Sequence, residues 1–241
     1  MPVRDFAAGG VVRTAVGAAN PSGALTMVAL VKFKDTTDWM IARQASSHVS
    51  AGTWAAMGLE GTILRLYPGG DAGLTPPTGE WLLVAISKPS GSSAASYHYY
   101  RFATTTWAHE TDTTPWTAAY GGVPAEIQLG RWNGGEQFNG RYAAAAVYGS
   151  ALSQGAVEAL VTASSIEDWL AGTPLALWTF HQASVEEGVA DLTGNGADQI
   201  SIEGTTVAEE EPPIPYFPPA ESLIRIRVSG IWKDVGEWGV V

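Results

Sequence analysis

The side chains best suited to chemistry in this chain fall into three small groups. Asp191, Asn195 and Asp198 lie in the run Asp191-Leu192-Thr193-Gly194-Asn195-Gly196-Ala197-Asp198, which sets three oxygen-bearing side chains on a Gly-rich turn. Hard oxygen donors of that kind suit Ca²⁺. The spacing is irregular for a calcium loop, and an Asx-type turn accounts for the same residues without a metal. The second group is Trp132 and Asn133, with Tyr67, Asp71 and His48 near the ends of predicted strands. A pyranose is held by an aromatic face against its apolar side and by polar groups on its hydroxyls. These five residues supply both, although Trp132 could equally close the end of a β-structure. The third group, Ile224, Ile226, Val228, Ile231 and Trp232, is an apolar series able to dock on a partner.

Catalytic constellations are missing from the sequence. His48, His98, His109 and His181 form no H-E-x-x-H, and with no Cys in the chain a zinc site has no ligand set. Neither a G-x-S-x-G elbow, a Walker loop nor a dinucleotide fingerprint occurs. Glycoside hydrolysis needs two carboxylates facing one cleft. No E-x-D-x-x-E strand provides them, and Glu186-Glu187 and Glu209-Glu210-Glu211 read as solvated charge. The expectation is a protein without enzymatic activity and with no cofactor beyond the Ca²⁺ alternative.

The elements that must position these groups read as strand after strand. Val11–Val16, Leu25–Phe33, Trp39–Arg43, Trp54–Leu59, Ile63–Tyr67, Trp81–Ser87 and Tyr97–Phe102 are short and rich in β-formers. Gly, Pro, Asp and Asn punctuate them, as in Asn20-Pro21-Ser22-Gly23 and Pro68-Gly69-Gly70-Asp71. A further strand ends at Leu129-Gly130-Arg131, another runs from Phe138 to Tyr148, and Leu175–Phe180 closes the series. Strands at this spacing indicate an all-β sandwich or jelly roll rather than βαβ units. Helix is confined to 153–172. Ser153 caps one start, and Ser165, with Asp168 three residues on, marks a second that stops at Gly172. Trp81, Trp178 and Trp54 are assigned to the core.

Several of these segments resemble laminin-G-like, concanavalin-A-like domains. Glu126–Leu160 resembles their closing strand, turn, strand and helix. Leu25–Lys32 is similar to an early core strand, and Gly79–Ile86 to a "W-x-x-(V/A)-A" strand whose Trp packs between the sheets. Trp178-Thr179-Phe180 with Val189–Asp198 resembles a "W-x-F … A-D-x-x-G-N-G-x-D" block that opens many relatives and here comes last. The resemblance implies a concanavalin-A-like β-sandwich over 1–205, with its two ends in adjacent strands and a lectin-type business of holding sugars or proteins.

Beyond it, 206–222 reads as an acidic, Pro-rich linker in extended polyproline-like form. Residues 223–241 read as a C-terminal hairpin, in which Leu223–Val228 alternates strictly, Ser229-Gly230 turns and Ile231–Val235 returns. A lone hairpin is marginal in water and needs something to lie against. The ending Arg227-Val228-Ser229-Gly230-Ile231-Trp232-Lys233 resembles structural proteins of tailed phages of actinobacteria. That resemblance implies a virion component, a minor tail or capsid-decorating protein. The hairpin would dock on other virion proteins, the sandwich would face a host-surface glycan, and the assembly would be a homo-oligomer. A free carbohydrate-binding lectin is the alternative.

Composition agrees with a single large β domain. The 241 residues, 46% hydrophobic, can bury a sizeable core, and without Cys the fold rests on packing. Residues 1–141 carry ten Lys/Arg and ten Asp/Glu; 142–224 carry twelve Asp/Glu and no basic residue, and the net charge is −11. Such an acidic surface repels phosphate backbones, so nucleic acid is excluded as a partner. The most apolar run, Leu25–Val31, is far too short to span a bilayer. No apolar leader follows Met1-Pro2-Val3-Arg4-Asp5, so the expectation is assembly in a host cytoplasm onto an exposed particle, without membrane insertion.

Overall fold

A computed structural model describes residues 2–15, 23–35, 39–45, 56–67, 70–71, 73–90, 94–112, 124–132, 136–181, 189, 191–215, 224–228 and 231–235. In chain order the strands are β1 (Pro2–Thr14), β2 (Leu25–Phe33), β3 (Trp39–Ala45), β4 (Ala56–Glu60), β5 (Ile63–Tyr67), β6 (Trp81–Lys88), β7 (Ala95–Arg101) and β8 (Thr106–Asp112). They continue with β9 (Pro124–Leu129), β10 (Arg131–Trp132), β11 (Glu136–Gln137), β12 (Gly140–Tyr148), β13 (Ala176–Thr179), β14 (Gln199–Glu209), β15 (Ile224–Val228) and β16 (Ile231–Val235). The helix α1 (Gln154–Val161) and a 3₁₀ turn (Ile166–Gly172) sit between β12 and β13.

The main sheet runs β5-β4-β3-β9-β1-β12-β2-β6-β7-β8, entirely antiparallel, and folds over on itself. β1 is the seam. Arg4–Phe6 pair with Tyr142–Gly140 of β12, whereas Val12–Thr14 pair with Leu129–Ile127 of β9. The register shifts between Phe6 and Val11, and Gly9-Gly10 lies in that interval. The sequence places the start of this strand at Val11, whereas it begins at Pro2. β14 runs beside β1, so the two ends of the sandwich pair as the resemblance implied.

Between the two layers lies one core that includes Phe6, Met27, Val31, Phe33, Met57, Leu66, Val84, Ile127, Leu129, Tyr142 and Trp178. Phe6, Phe138, Tyr142 and Phe180 form an aromatic knot, with Phe138 and Tyr142 ring centroids 4.6 Å apart and Phe6 and Tyr142 4.9 Å apart. Gly130 permits this closeness. It has φ +86°, and a Cβ there would stand 2.4 Å from the Phe6 ring. A second apolar cluster covers the outer face of β2, β6 and β12, where Val28, Leu30, Leu83, Ala144, Ala146 and Tyr148 meet Val157, Leu160 and Trp169. Where that cluster lies, those strands are covered on both faces, and their sequences there are continuous apolar runs rather than alternations. Ser153 caps α1 by accepting from the Ala156 N–H at 3.3 Å, and Asp168 accepts from the Ser165 N–H at 2.9 Å. The Trp169 Nε1–H donates to the Leu160 carbonyl at 3.0 Å and ties the 3₁₀ turn to α1.

Three sequence expectations are corrected. Residues 206–222 do not begin as a polyproline-like linker, because the strand continues to Glu209. Ile214 is then buried in the outer cluster, and the Pro215 carbonyl accepts from the Ile166 N–H at 2.7 Å. The Glu-rich end of β14 looked like linker because it is largely exposed and carries little apolar signal. A strand, β8, follows the left-handed Thr105 where none was expected. Trp81 is not an inter-sheet core residue. Leu82, Val84 and Ile86 point inward, which turns Trp81 to the outer face, half-buried. Trp178 is fully buried as expected and donates to the Ala197 carbonyl at 2.7 Å; Trp54 lies outside the described residues.

β15 and β16 pair only with each other among the described residues. Their register sets Ile224 against Val235, Ile226 against Lys233 and Val228 against Ile231, while Trp232 falls opposite Arg227. Among the described residues no helix is long and apolar enough to cross a membrane.

Candidate functional site

Sheet register alone assembles one row of polar side chains across four strands. Asp5 of β1 stands opposite Arg141 of β12, Arg141 opposite Lys32 of β2, and Lys32 opposite Trp81 of β6. Directly opposed residues of antiparallel strands share a face, and opposite charges so placed attract. Arg141 Nε donates to Asp5 Oδ2 at 3.3 Å, and the Lys34 ammonium donates to Asp5 Oδ1 at 2.7 Å.

Glu210, one residue past β14, lays its carboxylate over this row. Its Oε1 accepts from Lys32 Nζ at 2.9 Å and from the Trp81 indole Nε1 at 3.1 Å, and its Oε2 accepts from an Arg141 guanidinium nitrogen. Beside it opens a depression of about 330 Å³ lined by Lys32, Phe33, Lys34, Gly79 and Arg141. Gly140 lets β12 approach β2 at this point, since a Cβ there would meet the Lys32 carbonyl at 2.4 Å and the Phe138 ring at 2.6 Å. The backbone of Lys32 is thus pressed against β12 while its ammonium reaches outward.

The same outer face continues as aromatics. The Phe102 N–H donates to the Trp81 carbonyl, and Tyr100 packs against Phe102 and Trp107 with centroids 5.0 Å and 4.9 Å away. All four of these aromatic residues are half-buried against the outer cluster. Trp107 stacks on His109 at 5.0 Å. The His109 Nδ1 lies 2.7 Å from the Nδ1 of His98, close enough that one imidazole donates to the other. Burial, with the His109 charge adding to it and Glu158 opposing, pulls His98 down to about 4.

The residues singled out from sequence lie elsewhere. Tyr67 ends β5, and Asp71 bridges back to Arg65, exposed, its carboxylate accepting from the Gly73 N–H at 3.2 Å. Trp132 pairs with Glu136 in the small β10–β11 ribbon; Asn133 and His48 lie outside the described residues. Asp191, Asn195 and Asp198 do come together, as a turn. The buried Asp191 carboxylate accepts from the N–H groups of Leu177, Thr193 and Ala197 and from the Thr193 hydroxyl at 2.7 Å. Asp198 accepts from the Asp191 N–H at 3.0 Å, and the Asn195 side-chain amide donates to the Leu175 carbonyl at 3.1 Å. These groups are engaged in bonding the turn to β13, and among the described residues no three His, Cys, Asp or Glu side chains are grouped to hold a metal. Sequence reading missed Lys32, Arg141 and Glu210. The available signal was a lysine interrupting the apolar run of β2 and an arginine in Phe138-Asn139-Gly140-Arg141-Tyr142.

Solved structures resemble this architecture. A candidate carbohydrate-binding protein of Bacteroides ovatus superposes with TM-score 0.58 at 14% identity, over 86% of this chain and 59% of that one. The fold is a concanavalin-A-like β-sandwich. The chain therefore spans under two thirds of the length of that protein. Further likenesses are to the LG1-3 region of the laminin α2 chain (TM-score 0.46, 10% identity, 60% of this chain and 30% of that one) and to the enzymatically active domain of tailspike protein 2 of bacteriophage CBA120 (TM-score 0.42, 16% identity, 61% and 24%). No family model and no curated protein matches the chain.

Proposed function

We propose that this sandwich is a non-enzymatic adhesion module that holds a glycan on the outer face of the β12-β2-β6-β7-β8 layer, and that its C-terminal hairpin mounts it on a phage particle. The observation that carries the reading is the cross-strand row Asp5-Arg141-Lys32-Trp81 beside a solvent-open depression and a half-buried aromatic surface. Sugar recognition needs paired donors and acceptors for hydroxyls and aromatic area for the apolar ring face, and this one surface offers both. Its carboxylates are bound to cations, which suits holding a ligand more than proton transfer. For the mount, the support is the self-paired β15–β16 ribbon and its resemblance to phage virion proteins.

A glycan array with the whole chain tests the first half, and binding that disappears in Lys32→Ala together with Trp107→Ala supports it. An array with no positive spot removes glycan adhesion. Truncation after Pro215 tests the second half, with an unchanged melting temperature and loss of particle incorporation as the expected pair. Unimpaired incorporation would favour a free lectin.

A further inference from the structure

We infer that the depression beside Lys32 takes the acid group of an acidic saccharide, and that Glu210, at its edge, holds two of the same cations, Lys32 and Arg141, in the unliganded protein. The inference rests on the glycan-adhesion reading and adds the ligand's charge class.

The chain carries −11 overall, yet three of its thirteen Lys and Arg residues, Lys32, Lys34 and Arg141, line one depression. Among the described residues its lining holds no carboxylate; Phe33 and Gly79 complete the wall. Against those three cations the salt bridges set two carboxylates, Asp5 and Glu210. Asp5 belongs to the sheet row itself. Glu210 does not, because it lies just past the end of β14, and its side chain retains 20% of its exposure.

The bonds to Glu210 show what the cradle recognises. Ammonium, indole N–H and guanidinium converge on the two oxygens of one carboxylate, drawn from three different strands. Arg and Lys donors placed this way match the planar acceptor pair of a carboxylate and also the oxygens of a sulfate ester. An arriving sugar acid exchanges one anion for another, so the cations are never left without a partner. Lys34, 44% exposed at the lip, is the cation a ligand meets first. The depression falls at the small end of ligand-site volumes, which suits one acidic residue of a longer glycan whose remaining rings lie along Tyr100, Phe102 and Trp107.

The test is titration calorimetry of the full chain with three oligosaccharides of equal length: hexuronate, sulfated and neutral. The expected result is acid binding at least about tenfold tighter than neutral, weakened as salt screens the cations. The hexuronate and sulfate arms separate the two sources of negative charge, and preference for either upholds the inference. Glu210→Gln removes the resident charge but keeps an acceptor for Trp81, and should tighten acid binding several-fold. Lys34→Ala, at an exposed position that cannot unfold the core, should weaken it. Equal affinity for neutral and acidic sugars overturns the inference and leaves glycan adhesion standing. Absence of binding in all three arms overturns both. A Glu210→Gln protein that binds acid no better overturns the assignment of Glu210.

Discussion

Asp191 and Glu210 place the same functional group in opposite surroundings. Asp191 is sealed between β13 and the turn that follows, and its oxygens meet neutral backbone N–H groups and one hydroxyl, all within fifteen residues of chain. Glu210 lies on the outer face and meets charged side chains from residues 32 and 141 and the indole of residue 81, beside open volume. The first arrangement fixes a turn, because a buried carboxylate saturated with short-range donors has nothing left to offer a ligand. The second holds long side chains in a geometry that another anion could share. Burial and the chain distance to the partners, more than residue type, separate a structural carboxylate from one at a binding surface.

The largest expected effect breaks the structural member of the pair. Asp191→Ala strands the N–H groups of Leu177, Thr193 and Ala197 in a buried place and should cost about 3 kcal/mol, read from a urea unfolding midpoint. A loss near zero would show that water satisfies the turn. An intermediate effect concerns the outer face away from Glu210. His98 is held at about 4 when folded against an ordinary 6.5, so between those values the unfolded chain binds the extra proton. Stability should be complete above about 6.5 and fall as the pH drops toward about 4. Measuring the midpoint across that range in wild type and His98→Asn checks this, since the variant should lose that slope. The smallest effect is at the cleft. Trp81→Phe deletes one N–H donor to a partly exposed carboxylate and should change stability by under about 1 kcal/mol. A larger loss would mean that Glu210 is as structural as Asp191.

Much of the fold could be read from residues alone. β2 and β5 have the expected ends, since each is an apolar or alternating run closed by turn residues. Ser153 and the Ser165/Asp168 pair located α1 and the 3₁₀ turn, because a cap is a local interaction within three residues. β14 was hidden in part because residues 203–206, Glu-Gly-Thr-Thr, carry no apolar signal, and its partner β1 begins nearly two hundred residues earlier. The cleft was illegible for the same reason, as its members come from residues 5, 32, 34, 81, 141 and 210.

By itself the sequence determined the all-β class, most strand segments, both helical starts, the acidic surface and the Asx-rich turn, because each depends on neighbours within a few residues or on composition. Tertiary structure decided which face Trp81 occupies, how far β1 and β14 extend, and that Lys32, Arg141 and Glu210 meet. Those outcomes follow from strand register, and a shift of one residue would have turned every one of these side chains to the opposite face.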